Sequence, residues 1–537
     1  MTRRSIGQTL AGFGFRQTLR GALIVGLIGG VIMGAQGAAY AAAFPSTASR
    51  AKLVSSLDAV PAFNFLSGEV KNAAQPDSYA IYKALPGMVL VTSIWGLMVA
   101  TRLLRGNEED GRMELLESGQ VTRRQASGWL LVGFGGSIVL AMLVMTVCLA
   151  VLGAMPSVKL SLGASVLTTL AAFLPGFVFA SVGVLTSQLA LTRGKAVIYG
   201  LVPLLIFFVV RGVGNTTSSY DWMKSISPFG WSDRLNPVLA PQVAWLLPPV
   251  LLVIACAGIG MWLVGRRDYG ASIMRQSRGA HSHGALLGSP LFFAVRQNIW
   301  MLVWWLLGTV AFTAFMAAVA GKVADIAGDS SSAQSVLARI APGEIKVAFL
   351  GFDTMILALI MAALTIVMAA VLRRDEARGY LDNFLVRKVR RTSWLLGRLG
   401  LIIISVVVVA LIATLAMRWV AAAQAIDVQL STMLGGVVAL IGTTMTVLGI
   451  GTLLYGLWPR LASAGMIVVV GWAFVESIIK DVFHLPDWLE KTSLLTYVPV
   501  LPTKSPDWPE VVWLYVIGVV LVAGGVFAFT HRDIVAE

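Results

Sequence analysis

The sequence from Asn107 to Arg124 reads NEEDGRMELLESGQVTRR and separates two long apolar segments. Its acidic residues come first and its basic residues come last, an order that complements the dipole of an α-helix. Each charged side chain costs about 2.5–3.5 kcal/mol at the centre of a bilayer, so this stretch cannot lie in lipid. The sequence therefore predicts a short helix, about residues 107–124, held outside the membrane by a span on either side.

A second charged stretch repeats this arrangement later in the chain. It runs from Arg374 to Arg391, reads RDEARGYLDNFLVRKVRR and again lies between two apolar segments. Its acids also come first and its bases last. We therefore expect two matching charged helices, about residues 107–124 and 374–391, on one side of a membrane, where a soluble partner can push on both.

The composition indicates a membrane protein. Of the 537 residues, 57% are hydrophobic and 13% are charged, whereas soluble domains are about 25% charged. Apolar runs long enough to cross a bilayer recur along the whole chain. The net charge of +14 lies mainly in loops between these runs, so it indicates topology and not nucleic-acid binding. The predicted fold class is an all-α polytopic membrane protein with about 12 transmembrane helices.

The apolar runs fall into two halves of six spans each. We expect a first half at residues 1–267, which begins with an amphipathic helix on the inner membrane surface, a cytoplasmic linker at 268–290, and a second half at 291–537. The predicted spans are about 22–43, 84–103, 129–153, 162–191, 196–213, 243–264, 299–320, 347–371, 396–420, 432–457, 461–479 and 510–530.

Short matching motifs indicate that the halves are parallel repeats. Asp221-Trp222 precedes the last span of the first half and Arg267-Asp268 follows it, while Asp487-Trp488 and Arg532-Asp533 stand at the corresponding places in the second half. We expect an axis along the membrane normal to relate the halves. Basic residues collect on one side, which predicts a bacterial cell (inner) membrane protein with both termini and both charged helices in the cytoplasm.

The sequence shows no site for catalysis or energy conversion. The fragment Arg193-Gly194-Lys195-Ala196 lacks the upstream glycine and the Ser or Thr of a phosphate-binding loop. Cys148 and Cys256 both lie in apolar runs and predict neither a disulfide nor a metal site. We expect no catalytic residue, metal or cofactor in this chain, so energy must come from a partner or an ion gradient.

Few ionisable residues lie within the predicted spans. Arg211 lies near the outer end of the fifth span, and Glu476 lies at the matching place in the eleventh. We hypothesise that they meet and close the outer end of a pathway; the alternative is that each reaches the outer interface separately. Asp353 is a candidate third buried charge, but we expect it near water at the start of the eighth span.

Aromatic and methionine residues are candidates for lining a substrate cavity. Flexible methionines and flat aromatic rings adapt to ligands of varied shape, so as a group they suit a bulky apolar ligand. The alternative role for each of them is contact with lipid or packing between helices. The candidates are Met33, Trp95, Met98, Phe207, Phe208, Trp305, Phe312, Met355, Trp472 and Phe474.

The first charged stretch resembles the first cytoplasmic loop of type-2 ABC exporter permeases, in particular the fused twelve-span group of polyketide antibiotic exporters. That loop reads approximately E-E-x-G-R-x-E-L-L-x-x-x-x-V-x-R, and residues 108–116 and 121–123 match it closely. In the second copy Glu376, Val389 and Arg390 fit, but Arg378-Gly379 replaces Gly-Arg and residues 382–385 replace Glu-Leu-Leu.

The resemblance implies a permease subunit that exports hydrophobic drugs, polyketide antibiotics or lipid-like molecules by alternating access. In that family the loop helix is a coupling helix that docks on a separate ATPase subunit, present in two copies, which binds the ATP and Mg. The partners expected are therefore this ATPase, membrane lipids and a hydrophobic small molecule. The residues implied in coupling are Glu108, Glu109, Arg112, Glu114, Glu376, Arg378 and Asp382.

The main alternative is a proton-driven twelve-span facilitator-type multidrug transporter. It also has two parallel six-span halves, and Gly106, Asp110, Gly111 and Arg112 resemble part of its loop between spans two and three. The loop here is longer and helical, lacks the basic tail of that loop, and the spans lack acidic relay residues. A membrane-embedded enzyme and a regulatory membrane protein are further alternatives. A gene next door that encodes an ATPase with a phosphate loop favours the exporter.

Overall fold

A computed structural model gives the fold of most of the chain. The described residues are 6–44, 46–48, 50–51, 54, 64–65, 67–68, 75–117, 121–238, 240–268, 272, 288–327, 345–377, 379, 381, 386, 389–424, 426, 428–483, 486–499 and 505–533.

Every regular element in these residues is a helix, which confirms the predicted all-α polytopic fold class. Eleven of the described helices are long and apolar enough to cross a membrane, and a shorter apolar stretch, Ala462–Phe474, adds to them. The predicted linker, residues 268–290, lies almost entirely outside the described residues. The chain contacts define two compact units, Met1–Ala280 and His281–Glu537.

The first unit contains the following helices. They are α1 (Ile6–Ala43), α2 (Pro76–Thr101), α3 (Arg112–Glu117), α4 (Arg123–Gly153), α5 (Leu162–Leu189), α6 (Arg193–Gly214), α7 (Trp222–Ile226), α8 (Pro228–Leu235) and α9 (Leu247–Val264).

The second unit repeats the order of long helices. Its helices are α10 (Pro290–Ala327), α11 (Ile345–Ala377), α12 (Arg391–Ala423), α13 (Leu430–Leu457), α14 (Ala462–Phe483), α15 (Asp487–Glu490) and α16 (Trp508–His531). Paired helices agree in length: α5 and α13 each have 28 residues, and α6 and α14 each have 22.

The N-terminal segment differs from the prediction of a separate interfacial helix followed by a span. It is one unbroken helix of 38 residues, α1, about 57 Å long at 1.5 Å per residue. Its first half packs along the first half of α4: Gly7 lies against Trp129, and the Thr18 hydroxyl donates to the Ser137 hydroxyl at 2.8 Å. Residues 6–20 thus belong to the same helix as the predicted first span and pack against α4, and they do not form a separate element.

Glycines let α1 and α4 approach closely. A Cβ placed on Gly14 would lie 2.6 Å from the Leu130 carbonyl oxygen, and one on Gly26 would overlap the Ala141 carbonyl oxygen. Small residues at such contacts are typical of helix pairs in membranes, where close packing of backbones holds helices together in place of a hydrophobic driving force. The glycine spacing therefore determines how α1 is fixed on α4.

The charged segment 107–124 is not the single helix that charge order predicts. Helix α2 continues through a π-helical turn at Arg102–Gly106 and a last turn at Asn107–Glu109. The helix then breaks at Gly111, whose φ of +70° is readily adopted only by glycine. A separate short helix, α3, follows, so the first glutamates belong to the end of the second span.

The α1–α4 packing generates a prediction about two glycines of α4. We expect Gly133→Ala to destabilise the protein by about 1–3 kcal/mol, because the added methyl would overlap the Ala11 carbonyl oxygen and lie 2.7 Å from the Phe15 nitrogen. Gly135→Ala is the matched control, since nothing lies within 4 Å of a Cβ there. Thermal unfolding of the purified chain in detergent measures both; equal midpoints would contradict the packing.

Candidate functional site

Glu108 lies in a buried cluster of arginines at the end of α2. Its Oε1 accepts a hydrogen bond from Arg123 Nη2 at 2.8 Å. Its Oε2 accepts from Arg105 Nη1 at 2.9 Å and from Arg267 Nη2. These four residues form the first clamp. Because breaking a buried ion pair leaves an uncompensated charge, removing the carboxylate would be costly.

The first clamp joins the ends of several spans. Arg105 also donates from Nε to the Leu191 carbonyl at 2.7 Å, next to the start of α6. Arg123 begins α4 and donates from Nη1 to the carbonyl of Arg267, just after α9, at 2.9 Å. A displacement of residues 105–109 therefore acts directly on α2, α4, α9 and the connection between α5 and α6.

The second unit builds the same arrangement around Glu376. Its Oε1 accepts from Arg532 Nη2 at 2.7 Å, and Arg391 Nη1 donates to the Arg532 carbonyl at 3.0 Å. We call Glu376 with Arg532 the second clamp. Arg391 thus donates to a main-chain carbonyl just beyond the last helix of its unit, as Arg123 does in the first unit.

The backbone next to each glutamate repeats as well. The Gly379 nitrogen donates to the Glu376 carbonyl at 2.9 Å, as the Gly111 nitrogen donates to the Glu108 carbonyl at 3.1 Å, and Gly379 also has a positive φ, +67°. The second copy is therefore closer to the first than the sequence comparison suggested: Gly379 aligns with Gly111, and Arg391 rather than Arg390 aligns with Arg123.

The two clamps differ in strength. Glu108 receives three arginines, whereas Glu376 Oε2 has no hydrogen-bond partner among the described residues. The second unit instead has an additional ion pair, because Arg398 Nη2 donates to Asp375 Oδ2 at 2.8 Å. The same nitrogen also donates to Gln297 Oε1, which ties α10 to this region.

Three of the predicted coupling residues lie on the surface of the first unit. Glu109 is exposed and accepts from the Arg193 backbone nitrogen at 2.6 Å, while Arg112 is exposed and faces Asp110 at 3.6 Å. On α3, Met113 is buried, whereas Glu114 is exposed and Leu115 is 76% exposed. Glu108 and Glu376 are buried instead and contact only their own unit in the bonds described above.

The rest of the second coupling set lies outside the described residues. These are Arg378 and Asp382. Their predicted contacts with a partner stay predictions, as do those of Glu109, Arg112 and Glu114.

Arg211 is fully buried near the end of α6 and is held by Asp233 of α8. Arg211 Nε donates to Asp233 Oδ2 at 2.6 Å, and Nη2 donates to Oδ1 at 3.1 Å. The bidentate geometry makes this a strong pair. Glu476 is also fully buried, and its carboxylate oxygens have no hydrogen-bond partner among the described residues. The predicted pairing of Arg211 with Glu476 stays a prediction.

Asp353 differs from its predicted place near water. Its side chain is fully buried in α11, and neither carboxylate oxygen has a hydrogen-bond partner in the described part of the chain.

The candidate cavity residues have varied surroundings. Met33 is fully buried in the core of the first unit, and Trp95 packs edge-on against Phe134 with ring centroids 5.5 Å apart. Trp472 donates to the Thr492 hydroxyl at 2.9 Å. Phe207 and Phe208 pack on the first core, Trp305 and Met355 pack on the second, Phe312 is half-buried, and Met98 and Phe474 are exposed. Their common role as a substrate cavity stays a prediction.

A polar cleft of about 190 Å³ lies in the first unit, where α2 meets the short helices α7 and α8. Asp221 lines it: one carboxylate oxygen accepts from Lys224 Nζ at 2.6 Å and the other from Arg234 Nη2 at 2.7 Å. Asp233, the partner of Arg211, lines it too. In the described part of the chain, no group of three or more His, Cys, Asp or Glu residues is placed to hold a metal ion.

Comparison with known proteins identifies similar sequences. The family model described as "Multidrug efflux system permease Rv1217c, C-terminal domain" matches residues 8–267 and 287–530. The chain is also similar to the "Multidrug efflux system permease protein Rv1217c" of Mycobacterium tuberculosis (strain ATCC 25618 / H37Rv). The two are 26% identical over 500 residues, which cover 91% of this chain and 88% of that protein.

The first clamp predicts unequal effects at neighbouring glutamates. We expect Glu108→Gln to lower the free energy of unfolding by about 3 kcal/mol, because three arginines lose their buried counter-ion. Glu114→Gln, an exposed control close by, should change it by less than about 0.5 kcal/mol. Glu376→Gln should fall between them. Thermal unfolding in detergent measures the series, and a Glu108→Gln effect no larger than that of Glu114→Gln would contradict the clamp.

A double-mutant cycle distinguishes the two partners considered for Arg211. We expect Arg211→Met and Asp233→Asn to couple by about 1–3 kcal/mol, since each single change removes one side of the bidentate ion pair. The cycle of Arg211→Met with Glu476→Gln gives the coupling free energy of the pair predicted from sequence, which can be compared directly with that of the first cycle. A larger coupling in that second cycle would place the principal partner of Arg211 at Glu476.

Proposed function

The chain belongs to the multidrug efflux system permease Rv1217c family, and on that premise we propose that it is the transmembrane subunit of an ATP-driven exporter of the type-2 ABC class. It is a multi-pass membrane permease, a transporter rather than an enzyme. The proposed cargo is hydrophobic: drugs, polyketide antibiotics or lipid-like molecules, moved out of the cell by alternating access. The proposed location is the bacterial cell (inner) membrane, with both termini in the cytoplasm.

The observation that carries this proposal is the exposed face of α3 directly beside the first clamp. Leu115 and Glu114 project from a short helix whose inner side is fixed by buried Met113. An exposed leucine between charged residues suits insertion into a groove of a soluble protein, because the leucine supplies apolar area and the charges fix the register. We propose that α3 and the exposed Glu109 and Arg112 form this docking surface.

The clamp supplies the mechanical link that coupling needs. Residues 105–109 are rigidly joined to the ends of α2, α4 and α9 through Glu108 and its arginines. A push on α3 therefore reaches several spans together. In this proposal Glu108 and Glu376 transmit force inside the permease and do not touch the partner.

The partner proposed is an ABC ATPase subunit in two copies, which binds the ATP and Mg. The sequence has no phosphate-binding loop, so the permease itself would not hydrolyse ATP. Closure of the ATPase dimer on ATP would move both clamps and switch the permease between inward- and outward-facing states.

Co-purification tests the proposal. We expect the chain to form a stable complex with a co-expressed ABC ATPase subunit. The double change Glu114→Lys with Leu115→Asp should lower ATP hydrolysis by the complex at least about tenfold, since it reverses one charge and removes the apolar anchor. Lys159→Glu is the control, because Lys159 is exposed in the connection between α4 and α5, away from α3.

Thermal unfolding of the permease alone must be unchanged in all three proteins, so that a loss of hydrolysis reports on docking. A wild-type chain that binds no such ATPase and transports in liposomes on a proton gradient alone would overturn the proposal.

A further inference from the structure

Asp353 is a buried acid that neither the clamps nor the proposed docking surface uses. It lies on α11, 23 residues before Glu376, which places it about 35 Å from the second clamp at 1.5 Å per residue. Its side chain is fully buried, and neither carboxylate oxygen has a hydrogen-bond partner among the described residues. The second unit therefore buries an acid far from the end at which its clamp lies.

Asp353 lies on the apolar, buried face of α11. Leu350 and Leu357, three residues before it and four after it, are on the same face of the helix, and both are buried. Leu350 belongs to an apolar cluster that α10 and α12 help to build, and the side chains of this cluster carry no oxygen or nitrogen atom. The other buried members of the cluster are Ala317, Ala320, Met417, Ala421, Ile426, Val428 and Met433.

The internal repeat indicates that the fold does not require an acid at this position. Counting back 23 residues from Glu108, which corresponds to Glu376, leads to Leu85. The additional residue of the π-helical turn in the first unit moves the counterpart to Ala84. Leu85 and Ala84 are both buried and apolar. An acid that only one of the two copies carries is therefore better explained by something it binds than by packing.

The helices packed on α11 supply no partner for this acid in the described part of the chain. They are α10, α12, α13 and α14. Away from the clamp end, their described ionisable side chains are Arg418 of α12 and Glu476 of α14. Arg418 donates from Nε to the Val428 carbonyl at 3.2 Å, and Glu476 is itself an acid without a hydrogen-bond partner there. Neither is hydrogen-bonded to Asp353.

The ligand that fits this environment is a proton. An isolated ionised carboxylate in an apolar interior is so unfavourable that such a group takes up a proton instead. The neutral acid buries only a hydroxyl, which costs far less than a charge. A metal cation needs several oxygen ligands, about six to eight for Ca²⁺, and the described residues place no group of three or more His, Cys, Asp or Glu to hold one.

We propose that Asp353 is a proton-binding site of the second unit and that it carries a proton in this conformation. A rearrangement that opens this end of the unit to water would hydrate the carboxylate and release the proton, because the ionised form is stable only when it is hydrated. Proton binding is thus linked to the conformation of the permease. The site belongs to the permease alone, so its failure would leave the proposed ATPase partner untouched, and the reverse holds as well.

Infrared difference spectroscopy of the purified full-length chain in detergent tests the proposal. A protonated carboxyl has a carbonyl stretching band that a carboxylate lacks, and a hydrated aspartate loses this band as it ionises near about pH 4. We expect the wild-type spectrum at about pH 7 to contain one protonated-acid band that Asp353→Asn loses completely. Asparagine is the matched replacement, because it has the size of the neutral acid and no charge.

Two further variants complete the experiment. Glu510→Gln is the control, because Glu510 is exposed at the start of α16 and a hydrated carboxylate is ionised at this pH, so no protonated-acid band should be lost. Asp353→Leu carries the test if Asp353→Asn does not fold, since a leucine or an alanine stands at the matching place in the first unit. Thermal unfolding shows which variants are folded. A folded Asp353 variant that retains every protonated-acid band of the wild type at about pH 7 would overturn the proposal.

The pH dependence of unfolding gives a second readout. The unfolded chain hydrates the carboxylate and lets it ionise, whereas the folded chain keeps the proton, so raising the pH favours unfolding of the wild type. We expect the thermal midpoint of the wild type to fall relative to that of Asp353→Asn as the pH is raised from about 5 to about 7. Parallel midpoints over this range would contradict proton binding at Asp353.

Discussion

The buried carboxylate of Glu108 is the interaction on which the rest of the first half depends. It is the common counter-ion of three arginines: Arg105 in the π-helical turn that continues α2, Arg123 at the start of α4, and Arg267 three residues beyond the end of α9. A glutamate with that many partners cannot move independently of the spans that supply them, because each broken pair leaves a charge without compensation. The second half uses the same residue types in the same order, around Glu376, with fewer partners and an additional pair between Asp375 and Arg398.

Close packing of small residues supports this electrostatic junction. Helices α1 and α4 touch through glycines over much of their length, and these contacts hold the N-terminal half of α1 against α4. In a membrane, where lipid is as apolar as leucine, this contact between backbones is what fixes a helix pair. The ion pairs of the first clamp link the helices at the end of the first unit where α4 begins. A second set of ion pairs, around Asp221, lies at the polar cleft.

The sequence predicted the helical spans well, because hydropathy reports directly on which segments bury apolar surface in lipid. It located α5 and α13 within about two residues. It failed where backbone geometry decides: charge order cannot reveal the positive φ of Gly111, nor that α2 continues as far as Glu109. Successive residues on a helix point about 100° apart, which is why Glu108 can be buried while Glu109 is exposed. The sequence alone does not show which of the two faces inward. Of the clamp arginines, Arg267 and Arg532 were visible only in the matching motifs after each half, and Arg123 only in the loop motif. No sequence pattern indicates that Asp233, on the short helix α8, meets Arg211.

The π-helical turn at Arg102–Gly106 has a consequence for how the two halves can diverge. A π turn accommodates one more residue than an α turn, so the helix after it is rotated relative to the helix before it. In the second half, α11 runs to Ala377 without such a turn. The two copies therefore carry equivalent glutamates on spans that are out of phase with each other. Because both copies belong to one chain, each can present a different stripe of side chains while both keep the same buried glutamate. Two identical subunits could not differ in this way.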